Sequence, residues 1–406
     1  MAFQIRQGRP ADWQEILDVS RAAFSAPSRY FPRGWPHTYP GPRAAERFVV
    51  CEEAGRILGV INQTPVPLRI AGVRLNAVGI GGVATLKKHR GRGVMSAMLN
   101  ASNACQRDAG TCLGFLWGER ERYRRYGYEI AGSGLTANFG PKQFADVEPV
   151  PLRKLTQKDA PDILRLYRRS TLVVDRTEPW QRLLLRRATF AAYGNRSGPL
   201  KAYLVSGRKY RQNIHELIGN AKLLPGLLKA HRLRNSLNEV ALSWVTGYRA
   251  HLELGRAAAS VRADVLTQIN IFDFGRFLEK LAAPLGEGFR RSGITGPVRV
   301  VHAGERAAFD LALRPTGELL VTRAKPGGKA DLALDAAGKR DLAPDAAGNA
   351  DLAPDAAGKA DLVLDAPGWV RTFFPPPGGL MLEEKADYRL LAALRLPLAM
   401  SAWDSL

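Results

Sequence analysis

The order of apolar and polar positions divides the first third of the chain into alternating helix-type and strand-type segments. Apolar residues at three- and four-residue spacing indicate an amphipathic helix, and short apolar runs between turn residues indicate strands. The result is an α/β domain in which a glycine-bearing loop joins a central strand to a helix. The pattern predicts helices at 10–24 and 94–107, strands at 47–51, 56–61 and 112–117, and a hairpin of 66–70 with 73–86.

The middle of the chain shows a similar order of strand-type and helix-type segments, with weaker turn signals between them. Its strand-type runs are 201–205, 214–218 and 239–245, and a helix at 221–237 lies between the last two. That helix occupies the same place in the order of elements as the helix after the glycine-bearing loop of the first segment, but no Gly-x-Gly precedes it. The middle segment therefore reads as a degenerate copy of the first.

A third segment begins near residue 270 and contains a ten-residue repeat. Four copies of a Lys-Ala-Asp-Leu-type unit fill 329–368, with Pro344 and Pro354 in the middle copies. Such short units bury little, so we expect a surface loop inserted in a folded domain. The last copy, which runs into 369–374, is the part expected to be ordered. Before the repeat, the pattern predicts an amphipathic helix at 274–285 and strands at 297–302, 307–313 and 318–322.

Composition excludes several classes of protein. The chain has 406 residues, of which 46% are apolar, so it can bury sizeable cores. No apolar run reaches the roughly 18 residues of a membrane span, and the N-terminus lacks a signal-peptide core, which favours a cytoplasmic location. The three cysteines lack Cys-x-x-Cys spacing and the six histidines are scattered, so we expect no disulfide framework and no metal site.

The net charge of +21 is the one abnormal global value. A basic balance often indicates nucleic acid or a membrane surface as partner. The excess is uneven, however, because residues 151–260 contain 21 basic and 7 acidic residues, whereas 261–406 are nearly neutral. Many of the arginines in the middle segment have the near-helical spacing of a solvated face, and no RNA-binding motif accompanies them.

The strongest local signal is the loop between the central strand and the helix that follows it. Backbone N–H groups at a helix start, approached through glycines, are suited to binding phosphate. The alternative is a strand-turn-helix corner without a ligand. The predicted binding residues are Val83, Ala84 and Thr85 at the end of the strand, then Lys88, His89, Arg90, Gly91, Arg92, Gly93 and Val94.

This loop resembles the acyl-CoA loop of GNAT N-acetyltransferases, whose pattern is Arg/Gln-x-x-Gly-x-Gly/Ala. Lys88 stands where Arg or Gln is usual. The resemblance implies acetyl-CoA as cosubstrate, with its pyrophosphate on the loop. It also implies that the pantetheine arm pairs with Val83–Thr85, and that a backbone N–H near Val83 stabilises the oxyanion.

A second motif contains three tyrosines in six residues, Tyr123, Tyr126 and Tyr128. They could simply pack as aromatic residues, or one hydroxyl could protonate the departing thiolate. The pattern Tyr-x-x-Tyr/Phe-Gly-Tyr resembles the corresponding stretch of the Eis (enhanced intracellular survival) acetyltransferases. That resemblance assigns the general acid to Tyr123, with Tyr126 or Tyr128 as alternatives.

The resemblance to the Eis subfamily extends over nearly the whole chain. It implies an α+β chain with two tandem GNAT domains of α/β type, the second degenerate, and a C-terminal sterol-carrier-like α/β domain. It further implies a homo-oligomer, with a hexamer as one option, and a chain end inserted into the active site. The implied domains are 1–148, 149–268 and 269–406, the last containing the repeat insertion at about 329–368.

By the same resemblance, the reaction is direct attack of a primary amine on the thioester, with the α-carboxylate of Leu406 as general base and Tyr123 as acid. The acceptor is an amine-bearing small molecule or peptide. Aminoglycoside-type substrates are disfavoured because only Glu119, Glu121 and Asp404 are acidic near the proposed site in sequence. No metal and no membrane partner are expected.

Two other functions compete with this one. A non-catalytic module could retain the fold and use the basic middle segment to bind RNA or an anionic surface. The C-terminal domain could instead carry an apolar ligand. We expect no nucleic-acid partner, because no motif of aromatic and basic residues supports one.

Overall fold

A computed structural model describes residues 3–170, 172–245, 249–302, 306–324, 362–364, 366–375 and 393–396. Most of the repeat insertion lies outside these ranges, as does Leu406. Within the described residues, no helix combines the length and hydrophobicity required to cross a bilayer.

The first part of the chain forms the elements that the sequence pattern predicts and four that it does not, at 4–7, 30–34, 120–124 and 129–139, and it differs from the prediction at residues 66–86. There a separate small hairpin forms first, and the central strand starts again after it. The elements are β1 (Gln4–Gln7), α1 (Trp13–Phe24), α2 (Tyr30–Gly34), β2 (Phe48–Glu53), β3 (Arg56–Pro65), β4 (Leu68–Ile70), β5 (Val73–Leu75), β6 (Ala77–Thr85), α3 (Val94–Asp108), β7 (Leu113–Leu116), α4 (Arg120–Arg124) and β8 (Glu129–Phe139).

The middle part repeats four strands, a helix and a further strand. It ends in a long strand that the sequence pattern did not predict. The elements are β9 (Leu152–Lys154), α5 (Ala160–Tyr167), α6 (Glu178–Leu185), β10 (Phe190–Asn195), β11 (Ala202–Gly207), β12 (Asn213–Gly219), α7 (Leu224–Arg234), β13 (Val240–Val245), α8 (Arg249–Arg256) and β14 (Ser260–Ile271).

The last part contributes two helices, a four-stranded sheet and a final helix. The order of strands in this sheet is β17-β16-β15-β18. The elements are α9 (Phe274–Lys280), α10 (Ala282–Arg291), β15 (Val298–His302), β16 (Ala307–Leu313), β17 (Leu319–Ala324), β18 (Leu362–Leu364) and α11 (Ala366–Phe373).

One mixed sheet joins the first two parts. Its twelve described strands run in the order β1-β2-β3-β6-β7-β14-β8-β13-β12-β11-β10-β9. Read from either end, four antiparallel strands are followed by one parallel neighbour, namely β7 beside β6 and β13 beside β12. In the centre, β14 from the middle part lies between β7 and β8 of the first part. β14 thus crosses the predicted boundary between 268 and 269.

The largest apolar core connects the first and last parts of the chain. It extends from the β4–β5 hairpin and β7 to α9, α10 and the C-terminal sheet, and it encloses the fully buried Trp369 and Phe373 of α11. Because burial of apolar surface is the dominant stabilising term in folding, this shared core fixes α11 against the first part of the chain. Leu396 extends the contact, since its N–H donates to the carbonyl of Phe373 at 2.8 Å.

Candidate active site

The first feature of the site is an opening between β6 and β7. These parallel strands pair at only three positions, from Ala77 with Leu113 to Gly79 with Phe115. β6 then continues along β3 to Thr85, whereas β7 ends at Leu116. In the described sheet, the end of β6 therefore has no strand neighbour on the β7 side. The predicted residues Val83, Ala84 and Thr85 all lie on this stretch, where an extended ligand could pair with the backbone.

A bulge interrupts β6 at the entrance to this stretch. Two steps along β3, from Val60 to Asn62, are opposed by three steps along β6, from Ala84 to Gly81. Gly82 occupies the left-handed region with φ of 56°, and an added Cβ would lie 2.6 Å from the hydroxyl of Tyr39. A bulge leaves one residue out of the ladder. Two residues of β6, Gly82 and Val83, therefore oppose the single residue Ile61 of β3.

The glycine loop leads from β6 directly into the N-terminus of α3. Gly93 is the residue before the helix, with φ of 79°, and no side chain caps the helix there. The first turn leaves N–H donors of Val94, Met95 and Ser96 without partners in the helix. An added Cβ on Gly91 or Gly93 would meet no atom within 4 Å, so the loop backbone is open to a ligand. This geometry is typical of phosphate sites.

The basic side chains of the loop are not equivalent. Arg92 forms an ion pair with Glu53 at 2.6 Å, which lowers the pKa of that carboxyl, and also donates to Nδ1 of His89 at 2.8 Å. Arg90 only approaches the carbonyls of Thr85 and Ala23, each at 3.4 Å. In the described part of the chain, no carboxylate pairs with Lys88 or Arg90. Unlike Arg92, these two side chains thus have no described carboxylate as a partner.

The three tyrosines have three different environments. The Tyr126 hydroxyl shares a 2.6 Å hydrogen bond with Oγ of Ser96, in the first turn of α3. The Tyr128 hydroxyl is fully buried and donates to Oδ1 of Asn103 at 3.1 Å. Tyr123, on α4, is 7% exposed, and a Cβ at Gly118 would overlap its ring. Two of the three hydroxyls are thus engaged by α3.

Burial also sets the proton affinity of these phenols. It raises the pKa of Tyr123, although the neighbouring Arg122 opposes the shift. Burial likewise raises the pKa of Tyr128. A tyrosine with a raised pKa stays protonated at neutral pH and can act as a proton donor. Burial raises the pKa of the Cys51 thiol to about 11, so this cysteine is not a ready nucleophile.

Two asparagines that sequence reasoning missed hold the tyrosine motif in place. The amides of Asn103 on α3 and Asn270 on β14 both donate to the carbonyl of Tyr126 at 3.0 Å. Gly127 turns the chain with φ of 88°, and a Cβ there would lie 2.9 Å from the Asn270 amide oxygen. The strand inserted from the middle part of the chain therefore helps to shape the first site.

A buried carboxylate, also missed from sequence, anchors α4. Glu129 is fully buried. Its carboxylate accepts hydrogen bonds from Nε and Nη2 of Arg120 at 2.5 and 2.8 Å, and from Nη1 of Arg371 at 2.8 Å. Arg124 lies 3.4 Å away. Burial opposes ionisation of Glu129, but the arginines, Arg120 foremost, outweigh it, and the pKa of the carboxyl is lowered. Glu129 is thus a fixed anion that ties α4 to α11.

Some predicted features cannot be placed. Leu406 and Asp404 lie outside the described residues. Glu119 and Glu121 are strongly exposed and lie beside Arg122 and Arg120. Among the described residues, no group of histidine, cysteine and carboxylate side chains could hold a metal ion.

Comparison with known proteins bears on the fold and on the first domain. The family model described as "Acetyltransferase (GNAT) domain" matches residues 4–131. No curated protein matches the sequence. Among solved structures, Eis1 from Mycobacterium abscessus superposes with a TM-score of 0.61 at 14% identity, covering 100% of both chains. A GCN5-related N-acetyltransferase from Anabaena variabilis gives 0.67 at 18% identity, covering 97% of this chain and 96% of its own.

A GCN5-related N-acetyltransferase from Kribbella flavida has a TM-score of 0.62 at 17% identity, covering 80% of this chain and 85% of its own. At such identities these likenesses concern the fold alone. The chain therefore contains a GNAT-type acetyltransferase domain at residues 4–131, within a mixed α/β GNAT fold built around one large sheet.

Proposed function

We propose that the protein is an N-acetyltransferase that moves the acetyl group of acetyl-CoA to a primary amine. One observation carries the proposal: the unpaired end of β6 leads straight into the open, glycine-flanked N-terminus of α3. An extended chain can pair with the first, and a pyrophosphate can bind the second. Lys88 and Arg90, which no described carboxylate neutralises, supply charge for the phosphates.

The chemistry then needs a proton donor for the thiolate and a group that takes the amine proton. We assign the first role to Tyr123 because its phenol is protonated at neutral pH and its two neighbours in the motif are already hydrogen bonded to α3. The neutral amine attacks the thioester carbonyl, the C–S bond breaks, and sulfur receives the Tyr123 proton. The N–H near Val83, beside the bulge, stabilises the oxyanion.

The base is proposed to be the α-carboxylate of Leu406, as the family resemblance implies. Glu129 is buried beside the tyrosine motif, but its oxygens are occupied by three arginines. Glu119 is exposed and pairs with Arg122 at 2.9 Å. Because these carboxylates are already engaged, a carboxylate delivered by the end of the chain is the proposal that agrees with the described residues.

The proposal includes the domain organisation. The matching pattern of strands from both ends of the large sheet supports two GNAT-like modules, the second lacking a Gly-x-Gly before α7. The helices and four-stranded sheet after β14 support a separate C-terminal domain, for which we retain the sterol-carrier-like assignment. At the centre of the sheet, β14 of the second module lies between β7 and β8 of the first, and β8 pairs with β13 of the second. This arrangement would join the two modules into one unit.

Binding of acetyl-CoA can be tested at Gly93 with a matched control. Gly93→Ala introduces a Cβ at the start of α3, where we expect at least about a tenfold weaker affinity, or ~1.4 kcal/mol. Gly72→Ala is the control, because Gly72 also has a left-handed φ, of 83°, and also leaves an added Cβ without contacts. Both variants bear similar backbone strain. Equal affinity of the two variants in titration calorimetry would refute the proposed cosubstrate site.

A further inference from the structure

A basic cavity of about 390 Å³ lies on the far half of the large sheet. β9, β10, β11, the loop after β11 and the C-terminal end of α7 line it. No Asp or Glu is among the described residues that line the cavity. Its charged, aromatic and histidine side chains are Lys154, Tyr193, Arg208, Arg211, His231 and Arg234.

The four cationic side chains of this cavity are Lys154, Arg208, Arg211 and Arg234. In the described part of the chain, none of them forms an ion pair with a carboxylate. Arg208 donates to the carbonyl of Phe190 at 2.7 Å, and Arg211 donates to the amide oxygen of Asn235 at 3.3 Å. Arg234 lies over the Tyr193 ring, 5.0 Å from its centroid. Neutral acceptors and a ring face orient the guanidinium groups without cancelling their charge.

His231 lies in the wall of the cavity, close to Arg211 and Arg234. Its Nε2 lies 2.8 Å from the carbonyl of Arg211, which can only accept, so Nε2 carries the proton. Burial is the main cause that lowers its pKa; the hydrogen bond to the Arg211 carbonyl opposes this shift, and the nearby Arg234 and Arg211 charges add to it. His231 therefore adds no positive charge at neutral pH, and a bound anion would offset the repulsion that disfavours its protonation.

We propose that this cavity is a binding site for a small phosphorylated molecule, with the guanidinium groups of Arg211 and Arg234 holding the phosphate. Guanidinium groups match phosphate oxygens in geometry and charge. A volume of about 390 Å³ falls in the usual range of small-ligand sites, ~300–1,000 Å³, and suits a molecule the size of a nucleoside monophosphate. Tyr193, which lines the cavity, offers aromatic surface to the organic part.

The site is separate from the acetyl-CoA opening, so the inference does not depend on acetyl transfer. β11 is five strand positions from β7 in the sheet, or ~24 Å at ~4.8 Å per strand. The cavity also gives a purpose to part of the positive charge of residues 151–260, which the proposed reaction leaves unused.

The test is titration calorimetry with inorganic pyrophosphate and with AMP, using the full chain without CoA, because CoA is itself a phosphorylated nucleotide and would compete for the cavity. The variants distinguish this cavity from the α3 loop, since only the cavity pair removes guanidinium groups that line it. Salt is held at about 150 mM to screen diffuse attraction. Three proteins are compared: the unaltered chain, Arg211→Gln with Arg234→Gln, and Arg168→Gln with Arg196→Gln. The control pair removes the same charge from exposed arginines of the same part of the chain that do not line the cavity.

We expect the unaltered chain and the control pair to bind both probes, and the cavity pair to bind at least about tenfold more weakly, ~1.4 kcal/mol. AMP binding tighter than pyrophosphate would place the organic part against Tyr193. The proposal is overturned if both pairs weaken binding equally, or if neither probe binds. It is also overturned if a single-stranded RNA binds more tightly than either probe and both pairs weaken that binding alike, since this indicates a diffuse basic face.

Discussion

Arg371 on α11 donates a hydrogen bond to Glu129 at the start of β8, over a distance of 2.8 Å and a separation of 242 residues. Glu129 also holds Arg120 and Arg124, the two ends of the short helix that contains Tyr123. Two further bonds accompany the pair, from the Gly132 N–H to Phe374 and from the Ser133 hydroxyl to Pro375. The last part of the chain thus fixes the position of the proposed general acid.

Arg371→Met should lower the free energy of unfolding by about 1.5–3 kcal/mol, the usual value of a hydrogen bond to a charged group. It should also lower kcat more than it raises the KM for acetyl-CoA, because the loop at α3 is untouched. Chemical denaturation and steady-state kinetics measure the two effects. Arg182→Met, which removes an exposed pair with Glu178, is the control and should change neither.

The same cluster gives a pH dependence with a definite sign. The folded state lowers the pKa of Glu129 below its ordinary value of 4.5, so the ionised group stabilises the protein above that pH. That contribution disappears as the pH falls through the lowered pKa. The stability difference between the unaltered chain and Glu129→Gln should therefore be largest near pH 7 and shrink below about pH 4.5. A difference that stays constant to pH 3 would argue against an ionised Glu129.

Tyr123→Phe separates the acid role from packing. We expect kcat to fall by about 10²–10⁴-fold, the range for a general acid, with little change in acetyl-CoA affinity. Tyr126→Phe removes the bond to Ser96 and should cost ~1 kcal/mol of stability with a smaller loss of turnover. Because burial raises the pKa of Tyr123, the alkaline limb of kcat should lie above the ordinary tyrosine value of 10. If Tyr126→Phe is the slower enzyme, the acid is Tyr126.

Much of this architecture could be predicted from local sequence. The pattern predicts β2, β7 and α3 within about two residues and the first residue of β3, which extends four residues further than predicted, because each buries one face or a continuous apolar run. β8 and β14 were missed. β8 is rich in Gly, Ser and Ala, and the place of β14 in the sheet depends on pairing with Leu113–Leu116, about 150 residues earlier.

The candidate site likewise contains residues with local sequence signals and residues whose roles depend on distant partners. Glycine spacing and the tyrosine motif are local signals, so the loop at 88–94 and Tyr123 could be proposed from sequence. Asn103, Asn270 and Arg371 are ordinary polar residues whose roles depend on partners far along the chain. No local pattern distinguishes them from surface residues. What the sequence lacked was the register that brings α3, β14 and α11 to one place.

The loop cations should differ in their effects on acetyl-CoA binding. Lys88→Ala removes a charge that no described carboxylate neutralises and should raise the KM for acetyl-CoA by about tenfold, ~1.4 kcal/mol. Arg92→Ala should have a smaller effect, because Arg92 is already paired with Glu53. Initial rates at varied acetyl-CoA give both values. A larger effect at Arg92 would mean that the ligand displaces Glu53.

An extension of the C-terminus tests the role proposed for Leu406. A short peptide added after Leu406 moves the carboxylate and should abolish turnover while acetyl-CoA still binds. The same peptide before Met1 should leave turnover unchanged. Full activity with the C-terminal extension would remove the α-carboxylate from the mechanism and leave the base to be found elsewhere.

The central claim is acetyl transfer to an amine, and the release of free CoA thiol measures it most directly. The assay supplies acetyl-CoA with polyamines, aminoglycosides, lysine-containing peptides and small arylamines in turn, using Tyr123→Phe as the matched control. We expect amine-dependent thiol release by the unaltered chain with at least one of these classes, and a rate at least about 10²-fold lower for the variant. Thiol release no faster than that of the variant with every amine would contradict it.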